Sequence, residues 1–194
     1  MAKTHPFLSD VRELRRRART NIGRGAITES YRGDVREVCS ILNQALATEI
    51  VCVLRYKRHF YMAKGLNKDA VAAEFLQHAN EEQGHADAIA ERITQLGGEP
   101  DLNPEGLATR SHSQYVEGKD LVDMIKENLV AERIAIESYT EIVRYLGDKD
   151  PTSRRLMESI LSVEEEHAND MVDLIETYFA VPKKKPAPKI KARR

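Results

Sequence analysis

The amino-acid sequence predicts an all-α protein: an antiparallel bundle of four long helices with one long crossover between the second and the third. Apolar residues recur every three or four positions in four segments, which is the period of a helix that faces a core. Charged residues make up 31% of the 194 residues and aromatic residues only 6%, a composition that favours long helices over strands. The length suits a single domain with a sizeable core.

Turn and capping residues delimit the helices. The predicted helices cover residues 34–63, 67–96, 120–146 and 151–179. Pro151 suits the first turn of the fourth helix, and glycines follow the other three. The short links after the first and third helices predict antiparallel hairpins. The link 97–119 is long enough to run the length of the bundle, so we expect the third helix to lie parallel to the second, as in ferritin-like bundles.

Both ends of the chain are basic, while the body is acidic. We predict an N-terminal extension over residues 1–30 with a short helix from about Ser9 to Thr20, the bundle over 31–180, and a disordered basic tail over 181–194. Residues 183–194 contain seven Lys and Arg and no acidic residue. Such a tail can bind DNA phosphates without sequence preference, and a merely solubilising role is the alternative.

The cysteine pattern and the hydropathy suggest a cytoplasmic protein. Cys39 and Cys52 lie in one predicted helix, roughly 20 Å apart at about 1.5 Å per residue, so they cannot form a disulfide within one chain. Free thiols suit a reducing compartment. The N-terminal residues show no apolar run typical of a signal peptide, and we expect neither a membrane span nor a membrane partner.

A pattern of metal-ligand residues occurs twice along the chain. Each copy contains a lone glutamate in an apolar helical stripe and a Glu-x-x-His motif in the next helix, and the distance between the two is almost the same in both copies. The copies are Glu49 with Glu82 and His85, and Glu132 with Glu164 and His167. One Glu-x-x-His motif is equally well explained as a surface pair. Two motifs, each preceded by a core-facing glutamate, predict one dinuclear metal site.

The chemistry of this set favours two divalent cations. Four ionised carboxylates in an apolar core are prohibitive without compensation, and two divalent cations balance them in charge. Carboxylate and imidazole ligands without thiolates favour Fe or Mn, with Zn as a possible substitute. We expect Glu82 and Glu164 to bridge the two metals and Glu49 and Glu132 to bind one metal each.

Several neighbouring side chains share the same helical stripes. We expect Tyr56 and Tyr139 to donate hydrogen bonds to ligand carboxylates, with an electron-donor role for Tyr56 as an alternative. His78, one turn before Glu82, is interpreted as a hydrogen-bonded core histidine rather than a third imidazole ligand. His59 is expected to face solvent.

The chain resembles bacterioferritins and Dps-like ferritins over about residues 34–179. The segments that carry the resemblance are LNQALATEIVCVLRY, EEQGHADAIAERITQLGGEPDL, NLVAERIAIESY and ILSVEEEHANDMVDLIE. All six ferroxidase ligands of that family have matches, and Tyr56 matches a tyrosine beside its site. The resemblance implies oxidation of Fe(II) by O2 or H2O2 at an intrasubunit di-iron centre, storage of ferric mineral in a hollow shell, and protection against oxidative stress.

Two departures modify this expectation. The bacterioferritin haem ligand is a Met directly after the Glu of the first Glu-x-x-His motif, where this chain has Gln83, so we expect no Met-ligated haem. The Pro-rich, charged residues after Phe179 do not suit the fifth helix of the 24-subunit shells. The resemblance therefore favours a homo-oligomeric shell of twelve subunits over one of 24.

Two other functions remain open from the sequence. A catalytic di-metal protein without mineral storage, such as a manganese catalase or a rubrerythrin-like peroxidase, would use the same ligands, although the Cys-rich domain of rubrerythrin has no counterpart here. A structural nucleoid protein would depend on the basic tail and use metals only to stabilise the bundle.

Overall fold

The computed structural model describes residues 10–179, and every regular element in this range is helical. The elements are α1 Val11–Arg17, a 3-10 turn Ile22–Arg24, α2 Val35–Met62, α3 Lys68–Gln95, α4 Leu107–Arg110, α5 Leu121–Leu146 and α6 Pro151–Phe179. The predicted fold class is confirmed, and the four long helices agree with their predicted bounds to within one residue at each end. The predicted basic tail lies outside the described residues.

The helices begin where polar side chains satisfy their first free N–H groups. The Asp34 carboxylate accepts from the backbone N–H groups of Arg36 and Glu37 at the start of α2. Asp120 caps α5 in the same way. The N-terminal helix differs from its prediction: its cap is Asp10 rather than Ser9, and it ends at Arg17 rather than Thr20. Carboxylate caps accept hydrogen bonds from backbone N–H groups of the first turn that have no partner within the helix. They also place negative charge at the positive end of the helix dipole.

The crossover 97–119 runs along α2 and is hydrogen-bonded to it from end to end. Near the start of α2, the Asn43 side-chain oxygen accepts from the backbone N–H of Asp101 at 2.7 Å. In the middle, Thr48 Oγ1 accepts from the N–H of His112 at 2.9 Å. Near its end, Arg58 donates to the Glu117 carbonyl at 2.8 Å. The crossover therefore delivers α5 to the far end of α2, antiparallel to α2 and parallel to α3, as predicted.

The core consists of two apolar clusters on either side of a polar layer. One cluster lies toward the start of α2 and includes Leu42, Leu46 and Ile93. The other lies toward its end and includes Val71, Phe75 and Met171. Contrary to the expectation from hydropathy, α2 is long and apolar enough to cross a membrane by length and composition, alone among the helices of residues 10–179. In the most apolar 18-residue window of α2, 61% is buried in the bundle, which explains its apolar character.

A buried guanidinium, which the sequence pattern does not reveal, joins the crossover to two core helices. Arg55 is fully buried and donates to Asn128 Oδ1 on α5 at 2.9 Å, and to Ser113 Oγ and the Gln114 carbonyl at 3.0 Å each. His59, one turn later, is also fully buried, so the prediction that it faces solvent is wrong. The crossover covers this side of α2 and supplies the polar partners that these two residues need.

A buried ion pair lies at the opposite end of the bundle. Arg92 on α3 donates to both oxygens of Asp150 at 3.0 and 3.2 Å. The hydroxyl groups of Ser153 and Tyr31 donate to the same carboxylate, so that both of its oxygens accept hydrogen bonds. This pair joins the end of α3 to the start of α6. It thereby fixes the position along the bundle axis of the two helices that carry the Glu-x-x-His motifs, relative to each other.

We expect Arg55→Met to destabilise the fold, because two buried acceptors, Asn128 Oδ1 and Ser113 Oγ, and the partly buried Gln114 carbonyl would lose their donor. The loss is about 3 kcal/mol or more, which corresponds to a fall in melting temperature of roughly 6–12 °C at this chain length. Lys57→Met removes an exposed positive charge from the same helix and should leave the melting temperature almost unchanged. Thermal unfolding followed by circular dichroism tests this, and equal melting temperatures for the two variants would contradict it.

Candidate metal centre

The six predicted ligand residues converge between the two apolar clusters, with each of the four long helices contributing. The structure places them in two groups, and within each group the ligand atoms lie within 4.8 Å of one another. The four glutamates and His167 are no more than 2% exposed, while the His85 side chain is 13% exposed. The groups are Glu49, Glu82, His85 and Glu164, and Glu82, Glu132, Glu164 and His167.

The two groups share Glu82 and Glu164 and are related by the sequence repeat. His85 Nδ1 lies 3.1 Å from Glu164 Oε1 and 3.4 Å from Glu49 Oε2. On the other side, His167 Nδ1 lies 3.5 Å from Glu82 Oε1. Each half-site therefore consists of one lone glutamate, one histidine and the two shared glutamates, so that the site has an approximate twofold symmetry inside one chain.

Two tyrosines follow the same symmetry, but each crosses to the other hairpin. The Tyr139 hydroxyl on α5 donates to Glu49 Oε1 on α2, and the Tyr56 hydroxyl on α2 donates to Glu132 Oε1 on α5. Both hydrogen bonds to ligand carboxylates were expected from the sequence. Each bond occupies one oxygen of a lone glutamate and leaves the other oxygen directed at the centre.

The remaining donor atoms of the centre are buried without hydrogen-bond partners. They are Glu49 Oε2, Glu132 Oε2, both oxygens of Glu82 and of Glu164, and Nδ1 of His85 and of His167. Buried polar atoms without partners are rare because each costs free energy. Six carboxylate oxygens and two imidazole nitrogens that face one another fit a pair of divalent cations. The two glutamates with both oxygens free are the two that the groups share.

Without cations, protons supply the compensating positive charge. Burial, and then repulsion from Glu82, raise the pKa of Glu49 and of Glu132 well above the ordinary value. Burial disfavours the charged form of the two histidines, but the interactions with the surrounding carboxylates stabilise it more strongly. The pKa of His85 is therefore raised to about 12 and that of His167 to about 11. Burial also opposes charge on Glu82, but its close contacts with Glu49 and both histidines outweigh this effect and lower the pKa of Glu82.

Two further residues extend the centre toward the surface on the His167 side. The outer nitrogen of His167, Nε2, lies 2.8 Å from Glu81 Oε2, a contact that orients the imidazole. The ring of His78 stacks on the ring of His167 with centroids 3.9 Å apart. His78 Nδ1 also lies 3.1 Å from the Tyr56 hydroxyl, as expected for a hydrogen-bonded core histidine. The orienting role of Glu81 was missed, because its only sequence signal is its position next to Glu82.

Gln83 and the two cysteines, which were also considered from sequence, do not belong to the two ligand groups. Gln83 is exposed on α3 and donates to Asp87 Oδ1 at 2.9 Å. Cys39 and Cys52 are both buried and free. Burial raises the pKa of the Cys52 thiol well above the ordinary value, which disfavours the thiolate that would bind a metal.

Comparison with known sequences identifies the family. The ferritin-like domain profile matches residues 39–178. The bacterioferritin of Desulfovibrio desulfuricans is 29% identical over 132 residues, which cover 68% of this chain and 70% of that protein. The "DNA protection during starvation protein" of Pyrococcus furiosus is 33% identical over 138 residues, which cover 69% of this chain and 74% of that protein.

Solved structures agree with this assignment. A dodecameric thioferritin, the bacterioferritin-related protein of Bacteroides fragilis, superposes with a TM-score of 0.71 at 32% identity and covers 77% of this chain and 94% of that one. The D. desulfuricans bacterioferritin, described with a diiron site in different catalytic states, gives a TM-score of 0.65 at 26% identity and covers 74% and 82%. The chain belongs to the ferritin-like family, with bacterioferritins and Dps proteins as relatives.

Proposed function

We propose that this protein is a ferroxidase that oxidises Fe(II) at the centre formed by its six buried ligands and stores the ferric product. The observation that carries the proposal is the set of eight partnerless donor atoms, six oxygens and two nitrogens, in the middle of an apolar bundle. The relationship to bacterioferritins and Dps proteins supports iron as the metal.

The arrangement supports a separate role for each candidate ligand. Glu82 and Glu164 belong to both groups and have both oxygens free, so they would bridge two iron ions. Glu49 and Glu132 have one free oxygen each and would bind one ion each, with Tyr139 and Tyr56 fixing their orientation. His85 and His167 each add one nitrogen. All ligands come from one subunit, so binding does not require a partner chain.

Two ions in one site match the electron demand of the oxidant. Reduction of H2O2 to two waters takes two electrons and two protons, and reduction of O2 to H2O2 takes the same. Two Fe(II) ions supply these electrons, one each, and leave as Fe(III). The chain itself holds both ions at fixed positions and excludes bulk water from the ligand layer. We propose H2O2 or O2 as the oxidant and protection against oxidative stress as the outcome.

Two rival functions make different predictions. A manganese catalase or another catalytic di-metal protein would retain its metal and release O2 rapidly from peroxide, without accumulating ferric iron. A structural nucleoid protein would act through the tail, residues 183–194, which lies outside the described residues. DNA binding by that tail stays a prediction from sequence, although the relationship to a protein described as protecting DNA favours testing it.

Removing one ligand should abolish Fe(II) oxidation without unfolding the protein. Glu49→Ala and Glu132→Ala each delete a buried carboxyl group whose pKa is raised well above the ordinary value. Because this group is protonated and neutral in the metal-free state, its loss removes no buried charge, and the fold should tolerate the change. We expect the oxidation rate to fall on the order of 100-fold or more, since loss even of an outer partner of a metal ligand costs 10–100-fold. The measurement is stopped-flow absorbance after anaerobic Fe(II) loading and addition of peroxide.

Glu137→Ala is the matched control, since Glu137 is exposed on the same helix as Glu132. It should oxidise Fe(II) at the unaltered rate. If the ligand variants match this control, the site does not perform the oxidation. If all variants retain DNA binding while only the tail deletion removes it, the two activities are separable.

Metal binding should release protons, because cations replace the protons that compensate the metal-free site. Four groups have raised pKa values, Glu49, Glu132, His85 and His167, so two ions should displace up to four protons near neutral pH. Since the metal-free form holds these protons, affinity should rise with pH. Titration with Zn²⁺ in weak buffer and a pH indicator measures the release; less than one proton per ion would contradict the charge assignment.

We propose a closed shell of twelve subunits, supported by the relative from B. fragilis that is described as dodecameric. Each subunit has a mass of 22.0 kDa, so a shell of twelve has half the mass of a shell of twenty-four. Light scattering coupled to gel filtration distinguishes the two shells, and iron analysis of the same peak tests storage. A monomer that oxidises two irons and retains none would contradict the storage proposal but not the ferroxidase.

A further inference from the structure

We propose a third divalent-cation site, formed by Glu74, His78 and Asp170, beside the His167 half of the centre. The ligand atoms of the three residues lie within 4.8 Å of one another. Glu74 and His78 occupy successive turns of α3, and Asp170 faces them from α6. One imidazole and two carboxylates are donors that Fe(II), Mn²⁺, Co²⁺ and Zn²⁺ all accept.

The buried nitrogen of His78 is the observation that points to a ligand. Nε2 lies 3.3 Å from Glu74 Oε1 and 3.4 Å from Asp170 Oδ2, yet it makes no well-directed hydrogen bond to either. The ring cannot turn over without losing the contact of Nδ1 with the Tyr56 hydroxyl. A fully buried nitrogen is thus held between two carboxylates, a geometry that suits a cation shared by all three.

The internal repeat provides a comparison within the same molecule. The alignment that pairs Glu82 with Glu164 and His85 with His167 relates α3 to α6 by a constant shift along the chain. At this shift the three cluster residues Glu74, His78 and Asp170 correspond to Leu156, Ile160 and Ala88. Ile160 is buried in an apolar cluster, and Leu156 packs against it. The bundle therefore packs these positions with apolar residues in one half, so the polar set in the other half is not required by the fold.

The site lies between solvent and the centre. The side chains of Glu74 and Asp170 are 29% and 45% exposed, whereas His78 is fully buried. The His78 ring stacks on that of His167, and Glu81, which contacts His167, also belongs to a group with both histidines. An ion that enters between Glu74 and Asp170 thus has potential ligand side chains along its whole path, first His78 and then Glu81, up to the His167 half-site.

Three protein ligands leave positions for water, as in sites that exchange their ions or substrates. We infer that this third site is a loading position for Fe(II); this role rests on the proposed ferroxidase function. The outer carboxylates attract the ion from solution, and their exposure allows it to be exchanged rather than trapped.

Zn²⁺, which is not oxidised, tests the site in the full-length protein. Asp170→Asn and Glu74→Gln remove one ligand charge each with little change in shape, and neither residue belongs to the two groups of the centre. Asp173→Asn is the matched control, an exposed aspartate on the same helix. We expect anomalous diffraction and calorimetry to give three Zn²⁺ per subunit in the wild type and the control, and two in each variant.

Several outcomes would overturn the inference. Two Zn²⁺ per subunit in every protein, both at the centre, would remove the third site and leave the proposed function standing. Three ions in the Asp170→Asn and Glu74→Gln variants would show that these residues do not bind the third. An ion bound by Glu74, His78 and Asp170 while the six-ligand centre is empty would support the new site and contradict the proposed ferroxidase centre instead.

The loading role has a separate kinetic readout. In the variants that lose the third ion, the Fe(II) concentration at half-maximal oxidation rate should rise roughly tenfold, since local charge changes ion association by 10-fold or more. The maximal rate should stay the same because the six ligands are intact. An unchanged half-maximal concentration would overturn the loading role, and a lower maximal rate with an unchanged concentration would do the same.

Discussion

The cost of burying four carboxylates in an apolar core is the constraint on which the rest of this structure depends. Glu49, Glu82, Glu132 and Glu164 are each no more than 1% exposed. Water cannot stabilise their charge there, and an unpaired buried charge costs at least several kcal/mol. Positive charge must therefore enter with them, as protons on carboxyl and imidazole groups or as metal ions. In the function that we propose, metal ions replace the protons, so that metal binding is linked to proton release.

The internal repeat explains how one chain builds such a site. Two similar hairpins face each other, and each supplies a lone glutamate, a Glu-x-x-His motif and a tyrosine. The tyrosines bind the glutamates of the opposite hairpin, so that each hairpin orients a ligand of the other. The hydrogen bonds also distinguish the ligands: a glutamate that accepts from a tyrosine has one free oxygen, and a glutamate without such a partner has two. The bridging and terminal roles that we propose rest on this difference.

The symmetry is incomplete, and its exceptions have physical consequences. The crossover runs along α2 and there covers Arg55 and His59, which form buried hydrogen bonds with the crossover and with α5. No second crossover exists within residues 10–179 to do the same for α5. The polar extension through His78 likewise occurs on one half of the centre only. The His167 side of the site thus has a series of polar side chains that leads to the surface, while on the other side the corresponding positions are apolar and the His85 side chain itself is 13% exposed.

The sequence by itself determined the helices, their connection and the six candidate ligand residues. Helical periodicity places residues on one face of one helix, and a ligand that interrupts an apolar stripe must point into the core. Matching spacings in two hairpins then bring the two half-sites to the same height. These are local rules, and for that reason they could be applied without a structure.

Only the tertiary structure decided which side chains from different helices meet. The crossed tyrosine bonds, the contact of Glu81 with His167 and the burial of Arg55 depend on rotation and height between helices, which periodicity does not specify. His59 shows this most directly: its own helix places it on a side that the stripe leaves to solvent, but the crossover covers that side. The relation of His78 to Glu74 and Asp170 is of the same kind, since two residues of one helix acquire their chemistry from a third on another.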